Sequence, residues 1–247
     1  MDFWNEVKKT MHEDLPKCYS FILEDSKMLV REALKSSKED HAERIRICKG
    51  RVNHYQYATG GEVLHRGYYC PSLIKDIVIG NCNRGRMVRN PTKTKQKITY
   101  EYAFQDNHLL LVKHNTCDHS DEIEYVTYSD KKQIGYTFDN EMQLRTISEC
   151  IYQDENLTSY FIVNLDFDGT FISSEKEIYE YDNGLLHSVT VYMMQTTNSC
   201  THDKYIFNHD QDGFLTTYQV IEYENGTVKE NSYWKDHWFK VHKRRKV

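Results

Sequence analysis

The spacing of apolar residues divides the chain into a helical beginning and a long series of strands. Apolar residues within positions 3–11 recur on one helix face, and Pro16 then breaks the pattern. A second stripe with the same spacing predicts a helix from about Lys17 to Lys35. Its apolar positions are Tyr19, Ile22, Leu23, Leu29, Val30, Ala33 and Leu34. We expect this helical pair to pack on the rest of the chain.

From about Glu43 the apolar residues alternate with polar ones, which is typical of strands. The expected short strands are 45–47, 52–57 and 77–79. Residues 84–97 follow as a basic stretch that contains Pro91, and we interpret it as a long exposed loop. No proline occurs after it, as expected where most strands have hydrogen-bonded neighbours on both sides.

An internal repeat is the clearest feature of the proline-free part. In each copy an aromatic residue at strand spacing is followed within two residues by Asp, Asn or Glu, and most copies continue with Gly and an apolar residue. The aromatic positions are Phe138, Tyr152, Phe167, Tyr181, Phe207 and Tyr223. Asp-Gly and Asn-Gly favour the positive φ angles of tight hairpin turns. Each copy therefore predicts one hairpin, and the expected turns are 168–169, 183–184, 212–213 and 225–226.

These patterns together predict a mainly β (α+β) fold, in which N-terminal helices precede a long antiparallel β-meander of repeated hairpins. We expect residues 1–40 to form a helical segment that packs on the sheet. Residues 41–247 are expected to form the meander domain, with the hairpin repeats at about 134–232.

The composition bears on the compartment of the protein. The mean hydropathy is -0.75, and no stretch approaches the roughly 18 apolar residues that a membrane helix needs. The first residues include acids where a secretion signal is basic and then apolar. Seven cysteines without a C-x-x-C spacing are typical of reduced thiols. The expectation is a cytoplasmic protein that makes no membrane contact.

The net charge of -5 hides three blocks of opposite sign. Residues 1–100 have a balance of +7, residues 101–234 of -17 and residues 235–247 of +5. The acidic block is either a solvated face, partly neutralised by the basic ends of the chain, or a docking surface for a basic protein. Its sign opposes contact with phosphate backbones, so no nucleic acid is expected as a partner. The basic C-terminal end either binds polyanions or lies over the acidic sheet.

The unit Tyr181-Asp182-Asn183-Gly184-Leu185 resembles the tyrosine-aspartate repeats of the RHS/YD family, and the related hairpin repeats of small bacterial proteins encoded beside polymorphic toxins. Tyr223-Glu224-Asn225-Gly226 and Phe167-Asp168-Gly169 follow the same pattern, and the resemblance covers about residues 134–232. Asn208 and Glu224 stand where the family has Asp. The resemblance implies a small cytosolic relative, of the kind that serves as an immunity or antitoxin protein. It implies no catalytic residue.

One cluster of residues offers the chemistry of a metal site. His114, Cys117 and His119 are zinc-ligand types within six residues, and Cys200 and His202 are candidates from a second loop. Their spacing matches no standard zinc finger, and a polar loop between strands is the alternative interpretation. We expect no metal there.

A second set of residues, the acidic residues of the strands, suggests a different reaction. They would bind a divalent ion inside a β-tunnel that hydrolyses triphosphates, and they are Glu122, Glu124, Glu175, Glu177 and Glu180. Such a tunnel also needs inward Lys and Arg, of which residues 101–234 contain only seven. The sequence contains no Gly-rich phosphate loop, nucleophile elbow or H-E-x-x-H motif. The expectation is a protein with no enzymatic activity and no cofactor.

The expected function is therefore an immunity-type binder that masks a basic toxin effector, such as a nuclease, with an acidic β-sheet surface. The candidate rim residues are the turn acids Asp139, Asp154, Asp168, Asp182 and Asp212. Tyr181 and Tyr223 are the candidate anchors, with core packing as their alternative role. The alternative function is a structural or regulatory adaptor that self-associates through its N-terminal helices.

Overall fold

The computed structural model describes residues 19–78, 84–115, 121–195, 200–224, 227–228 and 234–235. Within these residues two helices come first and an antiparallel sheet follows, with one more helix between its first two strands, which confirms the mainly β (α+β) fold. The helices are α1 (Ser20–Ala33), α2 (Lys38–Arg51) and α3 (Leu73–Val78), with a 3-10 turn at Gly67–Tyr69. The predicted helix within residues 3–11 and the predicted turn at 225–226 lie outside the described residues.

The strands follow one another with short connections. They are β1 (His54–Thr59), β2 (Arg86–Val88), β3 (Tyr100–Gln105), β4 (His108–His114), β5 (Glu122–Ser129), β6 (Lys132–Phe138), β7 (Leu144–Gln153), β8 (Asn156–Leu165), β9 (Phe171–Asp182), β10 (Leu185–Gln195), β11 (Cys200–His209), β12 (Leu215–Glu224), β13 (Thr227–Val228) and β14 (Trp234–Lys235).

The chain clusters into two compact units. The first unit comprises Arg31–Ser148 and Phe167–Gly169, and the second comprises Met1–Val30, Glu149–Asp166 and Thr170–Val247. The strand order is β2-β1-β3-β4-β5-β6 in the first unit and β8-β9-β10-β11-β12-β13 in the second, where β14 also pairs with β12. Within each unit most strands therefore pair with their neighbours in the chain, as in a meander.

Helix α2 replaces the strand that was predicted at 45–47. Ser37 caps its N-terminus, since the Ser37 hydroxyl accepts from the Asp40 amide while the Asp40 carboxylate accepts from the Ser37 amide. His41, Ile45 and Cys48 are buried, at the spacing of one helix face. The alternating interpretation of Ile45 and Ile47 was wrong, because Ile47 is exposed. The predicted boundary at residue 40 falls inside this helix.

Two other predicted segments also differ from expectation. Residues 73–78 form helix α3 where 77–79 was predicted as a strand, and Ile79 lies outside the described residues. The predicted basic loop at 84–97 contains strand β2, which pairs with β1. Arg84 is buried, and its guanidinium donates to the carbonyl oxygens of Cys70 and Ser72. This arginine therefore holds the chain in place and does not lie in an exposed loop.

Hairpin connections of two kinds join the strands. Two-residue turns at 154–155 and 183–184 have both residues at positive φ, as a type I′ turn requires. Five-residue loops at 139–143, 166–170 and 210–214 are each closed by a hydrogen bond from the first amide to the fifth carbonyl. Their fourth residues, Met142, Gly169 and Gly213, all have positive φ. The predicted turns at 168–169, 183–184 and 212–213 are confirmed.

The five-residue loops correct the repeat at one copy. Phe138 directly precedes its loop and is buried, and the equivalent position before the next loop is held by buried Leu165. Phe167 is instead the second residue of that loop and is 68% exposed. The Phe-Asp-Gly pattern placed the last buried residue of the strand at Phe167, two residues too late. The connection has five residues where a two-residue turn was expected.

Helix α2 covers one face of the sheet in the first unit. Ile45 and Cys48 belong to a buried cluster that also contains Ala103, Leu110, Leu111, Tyr125 and Phe138. His41 adds polar attachments, with Nδ1 2.6 Å from the Tyr125 hydroxyl and Nε2 3.1 Å from the Ala33 carbonyl oxygen. Side chains next to these in sequence, such as Tyr102 and Glu124, face the other side of the sheet.

Residues 61–72 cover that other side. Tyr102 donates its hydroxyl to the carbonyl of Arg66 at 3.0 Å, and Tyr100 donates to the carbonyl of Leu64 at 3.3 Å. Tyr68 and Tyr69 pack against a buried cluster around Tyr102. The irregular segment is therefore fixed by tyrosine hydroxyls and by aromatic packing.

A buried ion pair lies beneath this segment. The Arg66 guanidinium donates to both carboxylate oxygens of Glu124, at 2.7 to 3.0 Å, and both side chains are at least 96% buried. Arg66 also donates to Ser148 and Gln133 at 3.1 Å, and His65 Nε2 lies 3.3 Å from Glu124. Burial acts to raise the pKa of Glu124, but the positive charge and hydrogen bonds of Arg66, together with the neighbouring His65, hold it well below its ordinary value.

Gly135 makes room for this pair. A Cβ atom on Gly135 would overlap Glu124 Oε1, Arg66 Nη2 and the Ser148 hydroxyl. Gly184 differs, because it has open space around it and a φ of +79°. Gly135 is required because a side chain there would clash with its neighbours, and Gly184 is required because its backbone is left-handed.

We predict that Gly135→Ala and Gly184→Ala destabilise the protein to different extents. Gly135→Ala forces a buried ion pair apart and should lower the free energy of unfolding by about 3 kcal/mol or more. Gly184→Ala costs only the left-handed backbone conformation, about 1 kcal/mol. Urea unfolding followed by circular dichroism measures both values. Equal losses for the two variants would contradict the assigned role of Gly135.

Candidate docking surface

The second unit presents two distinct faces, which the strand register defines. Five residues lie directly opposite one another across strands β8 to β12, and we call them the aromatic row. They are Phe161, Lys176, Tyr192, His202 and Tyr223. The rings of Tyr192 and Tyr223 stack on His202, with centroids 5.0 and 4.1 Å away. Such cross-strand pairs stabilise the sheet from within.

Helix α1 and the preceding residue Tyr19 lie over the aromatic row. The Tyr19 hydroxyl is 3.1 Å from His202 Nδ1, and the Phe21 ring meets the Tyr192 ring edge to face at 5.1 Å. Asp25 forms an ion pair with Lys176. Each of these three contacts falls on a different strand, so α1 and Tyr19 together fasten three neighbouring strands. We call this face the helix-side face.

The two predicted tyrosine anchors are both held within the fold. Tyr223 belongs to the aromatic row through its stacking on His202. Tyr181 donates its hydroxyl to the Leu157 carbonyl at 2.9 Å, and burial raises its pKa to about 12. Both side chains are half-buried, which matches the core-packing alternative more closely than the role of an exposed anchor.

The opposite face of β9 to β12 carries acidic side chains, and we call it the acidic face. Its carboxylates are Glu175, Glu177, Asp203 and Glu222. Across the strands, Asp203 lies opposite both Glu222 and Val191, and Val191 lies opposite Glu177. Glu175 is two residues from Glu177 on β9 and so shares this face. The two lysines of these described strands, Lys176 and Lys204, lie on the helix-side face. Glu180 is also on the helix-side face, where it pairs with Lys204, so the acidic face carries strand carboxylates with no strand lysine among them.

The environment of Tyr205 reflects this negative charge. Its side chain lies on the acidic face, two residues from Asp203 along β11. Burial, with the charges of Asp203, Glu175 and Glu222, raises the pKa of Tyr205 well above its ordinary value. Glu177 is fully buried and accepts a hydrogen bond from the Tyr179 hydroxyl. The half-buried members of the face are therefore Glu175, Asp203 and Glu222.

The turn acids of the second unit lie together at one end of the strands. Connections two strands apart lie at the same end of an antiparallel meander, about 10 Å from each other. The turns at 154–155 and 183–184 and the loop at 210–214 therefore form one row. Its exposed carboxylates are Asp154, Glu155, Asp182, Asp210 and Asp212, and we call them the acidic turn row.

The other two predicted rim residues, Asp139 and Asp168, belong to loops of the first unit. Asp139 is used by the fold, because its Oδ1 accepts from the amides of Glu141 and Gln143 at 2.9 Å. Asp210 does the same work in its own loop, accepting from Asp212 and Phe214. Of the five predicted rim residues, Asp154, Asp182 and Asp212 therefore belong to the acidic turn row, whereas Asp139 and Asp168 do not. The acidic turn row also contains Glu155 and Asp210, which were not predicted.

The residues considered for metal binding are placed apart. Cys117 and His119 lie outside the described residues, whereas His114 stacks on Tyr100 and lies 3.5 Å from Glu122. Cys200 is buried and His202 belongs to the aromatic row. In the part of the chain that the structure describes, no three His, Cys, Asp or Glu side chains are arranged to hold a metal ion.

The strand acids considered for a triphosphate tunnel also have separate partners. Glu124 is bound by Arg66, and Glu180 accepts from Ser188 and Lys204. Over the same described ranges, no helix is long and apolar enough to cross a membrane.

No protein-family model matches the chain, and no curated protein matches it. The resemblance of its repeat to the RHS/YD family stays a prediction from the sequence.

We predict that acid destabilises the protein in part through His202. Burial lowers the pKa of His202 below its ordinary value of 6.5, so the unfolded chain binds more protons as the pH falls through about 6.5. The free energy of unfolding should therefore decrease between about pH 7.5 and pH 5.5. His202→Phe preserves the ring stacking but does not titrate, and should flatten this decrease in urea titrations.

Two buried or half-buried histidines, His41 and His209, also have lowered pKa values and should leave a residual slope in the variant. An unchanged slope in His202→Phe would contradict the contribution of this histidine.

Proposed function

We propose that this protein is a non-enzymatic immunity-type inhibitor, which binds a basic bacterial toxin effector such as a nuclease and masks its cationic active site. The observation that carries the proposal is the acidic turn row. Five exposed carboxylates lie at one end of the second unit, in or directly beside three connections that contain no lysine or arginine. The acidic face of the same sheet adds Glu175, Asp203 and Glu222.

The physical basis is long-range attraction followed by close fit. A single-sign field concentrates a partner of opposite charge and accelerates association, while rim carboxylates fix its orientation. Affinity then depends on a few packed contacts within the interface. An inhibitor of this kind needs no catalytic group, since covering the active site is enough.

One observation favours the alternative, a self-associating adaptor. Met28 on α1 and Leu34, directly after the helix, are each 53% exposed, which is high for large apolar side chains. These two residues would form part of the contact between copies. Analytical ultracentrifugation of the wild type and of Met28→Ser with Leu34→Ser tests this alternative directly.

We predict that neutralising the acidic turn row slows binding of the effector. The variant carries Asp154→Asn, Asp182→Asn and Asp212→Asn, and its matched control carries Glu32→Gln, Glu43→Gln and Asp130→Asn. Both variants lose three exposed acids. The control also removes two exposed ion pairs, Glu32 with Lys35 and Glu43 with Arg46, which contribute little to stability. Affinity capture from the source cell, followed by mass spectrometry, identifies proteins that the wild type and the control retain and the turn-row variant loses.

The protein identified in this way should be basic. Its association rate with the wild type should fall steeply as salt rises, and the turn-row variant should associate at least about tenfold more slowly at low salt. Recovery of only acidic proteins or of nucleic acid would refute the proposed function. Equal loss in the control variant would refute the assignment to this row.

A further inference from the structure

One segment of the first unit presents positive charge and contains no acid. Residues 77–100 include no Asp or Glu. We call residues 86–97 the basic segment, and its cationic side chains are all exposed. They are Arg86, Arg89, Lys93, Lys95 and Lys97. The basic segment is therefore opposite in charge to the acidic turn row, which has five exposed carboxylates.

Hydrogen bonds to β1 hold the basic segment at both ends. Strand β2, at its start, pairs with β1. Two residues after its end, the Thr99 amide donates to the Ala58 carbonyl oxygen at 2.9 Å. In its middle, the Lys93 amide donates to the Asn90 carbonyl oxygen at 3.3 Å. A segment that is tethered in this way loses less conformational freedom on binding than a free chain end does.

Ion pairs of the described residues do not neutralise these two surfaces. No described carboxylate forms an ion pair with Arg86, Arg89, Lys93 or Lys95. In the same ranges, no lysine or arginine forms an ion pair with an acid of the acidic turn row. Each surface therefore keeps its charge for a partner.

A second copy of the chain supplies the complement of each surface. The first unit holds 19 Lys and Arg against 16 Asp and Glu, and the second unit holds 13 against 21. Opposite charges favour a contact between the first unit of one copy and the second unit of another. A phosphate chain would be attracted by the basic segment but repelled by the acids of the second unit, so a copy of this chain is the better complement.

We propose that copies of this chain associate through unlike surfaces, with the basic segment of one copy against the acidic turn row of another. The contact joins two different surfaces, so it needs one intact surface from each copy. It is weak and transient, because exposed charge pairs are screened by salt. The inference does not depend on an effector, since it rests on the exposure and charge of the two surfaces.

Sedimentation velocity of the full chain at low salt tests this contact. The basic-segment variant carries Arg89→Gln, Lys93→Gln and Lys95→Gln, and its matched control carries Lys38→Gln, Lys49→Gln and Lys131→Gln. Both sets are exposed cations of the first unit. The wild type and the control should associate as the protein concentration rises and dissociate as salt is added. The basic-segment variant should self-associate at least about tenfold more weakly.

A mixture of two deficient variants identifies the contact. The turn-row variant, with Asp154→Asn, Asp182→Asn and Asp212→Asn, should also lose self-association. An equimolar mixture of the turn-row and basic-segment variants should form the complex again, since the first supplies an intact basic segment and the second an intact acidic turn row. Thermal unfolding of both variants should match the wild type, because the substituted side chains are exposed.

Several results would overturn the contact. They are a wild type that stays monomeric at high concentration and low salt, a basic-segment variant that self-associates normally, and a mixture that forms no complex. Association that is lost in Met28→Ser with Leu34→Ser, but kept in the basic-segment variant, would place the contact on α1 instead. A monomeric wild type that binds a single-stranded oligonucleotide through the basic segment would make a polyanion its partner.

The proposed function succeeds or fails separately. A protein that is monomeric, yet binds a basic effector through the acidic turn row, overturns the contact between copies and leaves the proposed function intact. A protein that self-associates as described, but recovers no basic effector from the source cell, supports the contact and overturns the proposed function.

Discussion

The register of neighbouring antiparallel strands is the constraint on which the other features of this protein depend. Side chains alternate between the two faces of a strand, so a fixed register decides which residues of five strands share a face. In the second unit it aligns Lys176, Tyr192 and His202 under α1 and directs Glu177 and Asp203 to the other side. A slip of one residue would exchange these two sets. The turns hold the register, because each connection has a fixed number of residues.

Burial of charge constrains the first unit in a different way. An arginine and a carboxylate removed from water are stable together only when nearly every donor and acceptor has a partner. Arg66 reaches Glu124, Ser148 and Gln133, and the missing side chain of Gly135 supplies the space. An apolar contact would have tolerated many placements of the irregular segment 61–72. The directed hydrogen bonds allow few, and so specify how that segment lies on the sheet.

Much of the fold could be predicted from the sequence, because its signals are local. Asn183-Gly184 and the alternating aromatics identify hairpins within a few residues. Helix α2 was missed where two local signals conflicted, since Ile45 and Ile47 suggest a strand while Ser37 and Asp40 suggest a helix start. Capping and packing on the sheet decided between them.

The buried ion pair and the candidate docking surface were less accessible, because both depend on residues far apart in the chain. Arg66 and Glu124 are 58 residues apart, and no spacing rule connects them. The shared face of Glu177, Asp203 and Glu222 follows from alternation, but only once each strand is paired with the next. The displacement of Phe167 into a loop depends on a connection of five residues, and its Phe-Asp-Gly sequence is equally suited to a shorter turn.

The alternation of five-residue loops and two-residue turns between residues 139 and 184 also limits how such a chain can change in length. Asp139 and Asp166 begin equivalent loops 27 residues apart, with two strands and one short turn between them. Duplication or loss of a whole unit of this size would return the chain to the same end and the same face. Gain or loss of a single strand would reverse the direction of every later strand and move each later turn to the opposite end. The natural step of growth in this architecture is therefore a pair of strands.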